Sequence, residues 1–190
     1  VLEIGREVVG RGRKSGVSVS ISVAVFVPKS YTAFQWAGQL DPEEVRRRQQ
    51  LLLHSCHDRA IRVSYHDSRS SHVEGAVSKM GREGFALVRR AWELGCRFDA
   101  WTSEFDFSLW EQAAADCGLD LADVACESFP LDARLPWDHT SPGVSKGFLQ
   151  REWRRAAQGV TTPDCTRTSC VGCGVCPTLG VANVIQEARA

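Results

Sequence analysis

Apolar and small residues alternate from Val17 to Val25. Val17, Val19, Ile21, Val23 and Val25 take the odd positions, and Ser18, Ser20, Ser22 and Ala24 the even ones. A period of two predicts a strand with one face of small residues, suited to close approach by a neighbour or a ligand, and Pro28 ends it. A second alternation, Ile61, Val63 and Tyr65 in IRVSYHD, predicts a second strand with these three side chains inward. Elsewhere the apolar period lengthens to that of a helix. Residues 1–14 read as the end of a helix with a basic tail of Arg6, Arg11, Arg13 and Lys14. DPEEVRRRQQLLLHSC predicts a helix with Asp41 as N-cap, Pro42 at its first position and Glu44 completing a capping box. A short helix is expected over 71–80. GREGFALVRRAWELG places Phe85, Val88, Ala91 and Trp92 on one stripe and stops at Gly95. SLWEQAAADCG opens with Ser108 and Glu111 as a capping box. It puts Trp110, Ala113, Ala114 and Cys117 on one buried face and closes at Gly118. A last helix is expected from Ser145 to Gln158, with Leu149, Trp153 and Ala156 on one side and Gly159 beyond its end.

Helix, strand, helix, strand and then mostly helices define an α/β chain. The first part reads as consecutive βα units of a parallel sheet or barrel. Two strands cannot close a barrel, and the first residue is Val rather than Met, so a fragment lacking N-terminal strands is expected. A length of 190 residues suffices for one sizeable core, or a domain with an appendage. Lys and Arg number 23, as do Asp and Glu, which excludes a global basic field for nucleic acid. No apolar run approaches the ~20 residues of a bilayer span. The opening residues lack the ordered regions of a signal peptide. The expectation is a cytoplasmic protein with no membrane partner. In that reducing compartment, eight cysteines do not form a disulfide framework.

Four of them crowd into DCTRTSCVGCGVC: Cys165, Cys170, Cys173 and Cys176, spaced C-x4-C-x2-C-x2-C. Thiolates so spaced suit zinc or an iron–sulfur cluster. Structural zinc usually draws its four ligands from two separate CxxC turns. Here both CxxC units share Cys173, which leaves little chain to bring a second turn around one small ion. A larger iron–sulfur cluster accepts closely spaced ligands. Cys170, Cys173, Cys176 and Pro177 match part of the bacterial ferredoxin run, and Cys165, Cys170 and Cys173 match the opening of the plant-type one. Gly172 and Gly174 fit tight turns with positive φ and N–H groups turned to sulfur. Iron–sulfur is the preferred reading, zinc the alternative and a redox dithiol the third. The chain has no C-x3-C-x2-C, the spacing that leaves an open iron for S-adenosylmethionine, so it is not expected to be active alone.

Several stretches taken together carry a resemblance: SVAVFVPKSYTAFQWAGQ, RRRQQLLL, VSYHDSRSSHVEGAVSK, AWELGCRFDAW, LPWDHTSPGVSKGFLQREW and the terminal cysteines. In this order they resemble the C-terminal region of uncharacterised radical SAM proteins that carry an N-terminal cobalamin (B12)-binding domain. The usual PKPHTPFQW of that family reads PKSYTAFQW here, with Ser30 and Ala33 in place of prolines. The resemblance implies a C-terminal fragment of a partial (βα) radical SAM barrel, followed by a mainly helical extension ending in a Cys cluster. It divides the chain into 1–40, the closing βα portion of the barrel; 41–160, the extension; and 161–190, a Cys-rich metal-binding tail. It further implies an auxiliary iron–sulfur site, of the 4Fe-4S type, at the four terminal cysteines. S-adenosylmethionine and cobalamin would serve the full-length protein. The partners implied are the missing N-terminal cobalamin and radical SAM regions, a reductant, and a substrate whose identity is open, RNA and protein being candidates. Val25, Phe26 and Val27 would line the cofactor pocket, set against ordinary strand packing.

Other candidates favour their plainer readings. His54, Cys56, His57, His66 and His72 are dense enough to raise a metal site, but His54 and His57 fall near a helix end that favours an imidazolium. His66 and Asp67 follow a strand and are candidates for substrate contact, with a hydrogen-bonding role preferred. Glu74 reads as a surface carboxylate, and Asp138 and His139 as loop neighbours pointing apart. Arg46, Arg47 and Arg48 read as a solvated face. With Arg151, Arg154 and Arg155 they supply the alternative, a zinc-stabilised RNA- or protein-binding module.

Overall fold

A computed structural model describes residues 1–12 and 16–183. The protein is α/β and mostly helical, with eight helices and two parallel strands among the described residues. None of those helices is long and apolar enough to cross a membrane. Contacts divide the chain into two compact units: Val1–Val27 with Gln39–Glu127, and Pro28–Gly38 with Ser128–Ala190. This division by packing is separate from the division by role that the resemblance implies.

In the first unit, α1 (Leu2–Gly12) precedes β1 (Val19–Val23), the crossover helix α2 (Pro42–Ser55) and β2 (Ile61–Tyr65). The strands pair from Val19 opposite Ile61 to Val23 opposite Tyr65. β1 is shorter than the alternation predicts. The β2 partner offers only five residues, so the chain from Ala24 runs past the end of the ladder. Serines stay exposed while Val19, Ile21 and Val23 are half-buried. In β2 only Ile61 of the three expected inward residues is buried, and Tyr65 is 45% exposed. Gly5 lets α1 approach closely, because a Cβ there would stand 3.2 Å from Ile21 Cδ1 and 3.3 Å from Ile61 Cδ1.

The α2 start follows its Asp41 and Pro42 signals, but the Glu44 side chain turns to Arg47 and Arg48 instead of completing the expected capping box. Asp41 Oδ1 accepts from Glu43 N at 2.8 Å, and Pro42 occupies the first turn. The Glu44 carboxylate takes Arg47 and Arg48. Those two guanidinium bonds hold its pKa down at about 2, against an ordinary 4.5. A depressed carboxyl pKa contributes stability above the ordinary value and loses it as pH falls through the folded one. Wild-type stability should therefore fall more steeply than that of Glu44→Gln between pH 4.5 and about 2. Parallel acid titrations of thermal midpoints measure this, and coincident slopes would contradict it.

Four helices build this unit's core: α3 (Ser68–Lys79), α4 (Gly84–Leu94), α5 (Phe107–Asp116) and α6 (Leu121–Cys126). Val73, Ala76, Leu87, Ala91, Trp110, Ala113, Ala114, Leu121 and Ala125 are buried together, the alanines permitting close helix approach. Two details differ from the sequence reading. On α4 the buried residues are Gly84, Leu87 and Ala91, while Phe85 and Trp92 are 70% and 59% exposed. Leu87, Ala91 and the half-buried Leu94 form a second stripe at helical spacing, and packing on α5 selects that one. The α5 cap is Asp106 rather than Ser108: Asp106 Oδ1 accepts from Ser108 N at 2.9 Å and from Ser108 Oγ at 2.6 Å. Cys117 is half-buried at the C-cap, and Gly95 and Gly118 end their helices at φ 112° and 71°.

The second unit joins the turn before Gly38 to the chain after Glu127. Trp36, Leu135 and Leu149 form its buried centre, with Phe129, Leu131, Trp137, Phe148 and Trp153 packed against them. Helix α7 (Lys146–Ala157) is N-capped by Ser145, whose Oγ accepts from Phe148 N at 3.2 Å. Helix α8 (Val175–Leu179) lies inside the cysteine-rich segment.

Candidate functional site

Two places concentrate chemistry, one in each unit. The first is the carboxyl edge of the parallel strands, where α/β sheets commonly bind ligands. β1 and β2 end together, and the chain leaving them borders a groove of about 630 Å³. Its lining brings together the sequence candidates Val25, Val27, His66, Asp67 and Glu74, and adds Tyr65, Arg69, Asp99 and Phe105. Phe26 lies outside that lining and is 53% exposed. Its carbonyl accepts from Gln39 Nε2 at 3.2 Å, and the same amide donates to Ser71 O at 2.9 Å. Gln39 is buried and so ties the strand exit to α3. Gly75 makes room for it: a Cβ there would meet Gln39 Oε1 at 2.5 Å.

Asp67 has a local task. Its carboxylate caps α3 by accepting from Arg69 N at 2.9 Å, and it also binds the Arg69 guanidinium. The Arg69 side-chain bond, chiefly, holds the Asp67 pKa below its ordinary value. A carboxylate so engaged is a cap and an anchor for Arg69 rather than a proton carrier. Asp99 Oδ1 accepts from Trp110 Nε1 at 3.3 Å. Asp99 was missed in the sequence because nothing local links CRFDAW to the strand ends. Tyr65 was missed because its alternation placed it in the core.

The remaining histidines do not gather. His54 and His57 are exposed, and His54 Nδ1 lies 2.7 Å from Gln50 O. His72 is 3% exposed, with Nδ1 2.8 Å from Ser68 O and Nε2 3.3 Å from Leu40 O. Lys79, also 3% exposed, donates to Glu127 O, and burial lowers its pKa. In the second unit, Asp138 Oδ2 accepts from Lys146 Nζ at 2.5 Å and from Leu135 N at 2.9 Å. Burial works against its charge, but these donors outweigh it and keep the carboxyl below its ordinary range. His139 Nδ1 instead lies 2.9 Å from Pro136 O, so Asp138 and His139 do not act as a pair. Four of the six arginines named from the sequence are engaged internally. Arg47 and Arg48 bind Glu44, Arg151 donates to Gly172 O at 3.5 Å, and Arg155 donates to Thr161 O at 2.7 Å.

The second place is the thiol-rich loop. All eight cysteines are free. Asp164 shapes the start of the loop: Oδ1 accepts from Thr166 N at 2.9 Å and Thr166 Oγ1 at 2.8 Å, while its carbonyl accepts from Thr168 N at 3.1 Å. This turn presents Cys165. Gly172 and Gly174 both adopt positive φ, 71° and 95°, as their place between cysteines predicts. The Gly172 N–H donates to Cys170 Sγ at 3.4 Å, and Asn183 Nδ2 donates to Cys165 Sγ at 3.3 Å. The Cys173 carbonyl accepts from Ser145 N at 2.9 Å, anchoring the loop to the start of α7. A Cβ at Gly174 would press to 3.2 Å from Gly143 O. Cys170 is exposed and the other three are half-buried.

These residues fit an iron–sulfur cluster in donor chemistry: four free thiols, turns that only glycine adopts readily, and N–H groups already directed at sulfur. As they stand, the thiols are not drawn around one point. Among the described residues, no three His, Cys, Asp or Glu side chains are arranged to hold a metal ion.

The class defined by fold and site is a mostly helical α/β protein with a two-stranded parallel βαβ element and a cysteine-rich loop. No family model, curated protein or solved structure matches the chain.

Proposed function

We propose that this chain is the C-terminal part of a radical SAM enzyme and that Cys165, Cys170, Cys173 and Cys176 hold an auxiliary iron–sulfur cluster of the 4Fe-4S type. The observation that carries the reading is the clasp itself: free thiols on glycine turns, with backbone and amide N–H groups at two of the four sulfurs. The motif order along the chain supports it, and so does the parallel strand pair, which is what the closing portion of a partial barrel would contribute. Val25 and Val27 line the groove at the strand ends, the edge on which a barrel holds its ligands.

When bound, the cluster supplies an electron store. The chain's own residues bind and place it. Cys165, Cys170, Cys173 and Cys176 would hold it through their thiolates, Asp164 sets the turn that presents Cys165, and Ser145 fixes the Cys173 backbone. On this reading, reduction of S-adenosylmethionine would need a C-x3-C-x2-C cluster loop, which these 190 residues do not contain. The groove contributes an apolar wall at Val25 and Val27 and a polar one at His66, Asp67 and Glu74, suited to a ligand with a flat apolar part and hydroxyl or amine groups.

The full-length protein tests the reading. Cys170→Ser with Cys173→Ser should remove one cluster's worth of iron and sulfide and abolish turnover, leaving the spectrum of the other cluster intact. Unchanged iron content and activity would sink the auxiliary role.

A further inference from the structure

We infer that Asn183 is a positioning residue for the first thiolate of the clasp, closing the loop by donating an amide hydrogen bond to Cys165. The inference rests on the iron–sulfur reading proposed above. Cys165 stands apart in sequence from the C-x2-C-x2-C run, four residues lying between it and Cys170. The remaining ligands are placed by fixed backbone: positive φ at Gly172 and Gly174, the short helix carrying Cys176, and the Ser145 bond to the Cys173 carbonyl. Cys165 has only the exposed turn built on Asp164, whose bonds serve Thr166 and Thr168. Its sulfur is held instead from the far end of the segment. Gly180 turns the chain at φ 64° after α8, Val181 N donates to Cys176 O at 3.0 Å, and Asn183 then reaches back 18 residues to Cys165 Sγ at 3.3 Å.

A hydrogen-bond donor at a ligating sulfur does two things. It would hold the Cys165 side chain in one direction once the four thiolates gather on a cluster, and it would stabilise the more negative, reduced state of that cluster, raising its potential. The Gly172 N–H does the same at Cys170, but as a backbone group it is present whatever the side chains are. Asn183 is therefore the adjustable donor of the pair.

The test uses the whole chain, reconstituted without oxygen with ferrous iron and sulfide, in wild-type form and as Asn183→Asp and Asn183→Ala. Asp keeps the size of Asn and replaces the donor with a negative acceptor; Ala removes the donor without adding charge. The iron and sulfide contents of both variants should match wild type. Their midpoint potentials, read by titration followed with electron paramagnetic resonance, should fall, further for Asp than for Ala. Iron loss to a chelator should be faster in both. If Asp prevents assembly, the fall in potential is read from Ala. Potentials equal to wild type in every variant that assembles would overturn the role of Asn183 while leaving the cluster in place. Wild-type protein that takes up no iron and sulfide would overturn the underlying reading, and the inference with it.

Discussion

Trp36→Ala is expected to destabilise its unit by about 3–5 kcal/mol. Trp36 is 1% exposed and shares the buried centre of its unit with Leu135 and Leu149. Its ring meets Trp153 edge-on at 6.4 Å, and its carbonyl accepts from Phe129 N at 2.9 Å. Truncation would leave a large void between α7 and the loops. The indole N–H is buried without a hydrogen-bond partner among the described residues, a state that costs roughly 1–3 kcal/mol. Trp36→Phe removes that donor while keeping most of the ring, so its loss should be well below that of alanine. Urea denaturation of the three proteins decides the matter. Equal losses for Phe and Ala would mean that the indole nitrogen, rather than ring volume, matters at this position.

Leu87→Ala should cost the other unit about 2–5 kcal/mol. Leu87 is fully buried in a cluster whose other members include Ala76, Ala91, Ala113, Ala114 and Ala125. Alanine cannot extend to fill a gap, so the cavity left by Leu87 stays open and the cost falls toward the upper end of the range. Phe85→Ala on the same helix is a control, since Phe85 is 70% exposed and its loss should be small. Denaturation midpoints compare the two. A larger effect at Phe85 than at Leu87 would restore the stripe expected from the sequence.

That pair shows where sequence patterning runs out. α4 carries two apolar stripes at helical spacing, and the larger side chains, Phe85 and Trp92, lie on the one that faces outward. Periodicity identifies a helix but does not say which stripe α5 will meet. Local signals did better. Asp41 and Pro42 open α2, Ser145 opens α7, and Gly95, Gly118 and Gly159 adopt the positive φ expected of helix stops. These features depend on a few consecutive residues, and physics at that range is legible. Both strands were legible in type, but β1 not in length, because a strand extends only as far as its partner.

Long-range assembly was not legible. Pro28–Gly38 leaves the first unit to join residues beyond Glu127, and Tyr31 donates to Trp137 O at 2.5 Å across 106 residues. No single-sequence pattern announces such a pairing. The candidate groove was legible in part. Val25, Val27, His66 and Asp67 were marked by their nearness to strand ends, and they share one lining with Glu74, which the sequence reads as a surface carboxylate. Asp99 and Phe105 enter from a loop with no strand of its own, and the task of Asp67 as cap and Arg69 anchor emerged only from geometry. The cysteine clasp was marked by spacing alone, and Gly172 and Gly174 behave as that spacing demands. The Asn183 bond to Cys165 had no sequence signal, since an asparagine beyond a helix end is ordinary.

The most direct measurement is iron, acid-labile sulfide and zinc per chain in protein purified without oxygen, beside a variant with Cys165, Cys170, Cys173 and Cys176 all changed to serine. Iron with matching sulfide in the wild type, lost in the variant while the fold is retained, is the predicted result. Zinc without sulfide, or iron that survives removal of all four thiols, would contradict the account.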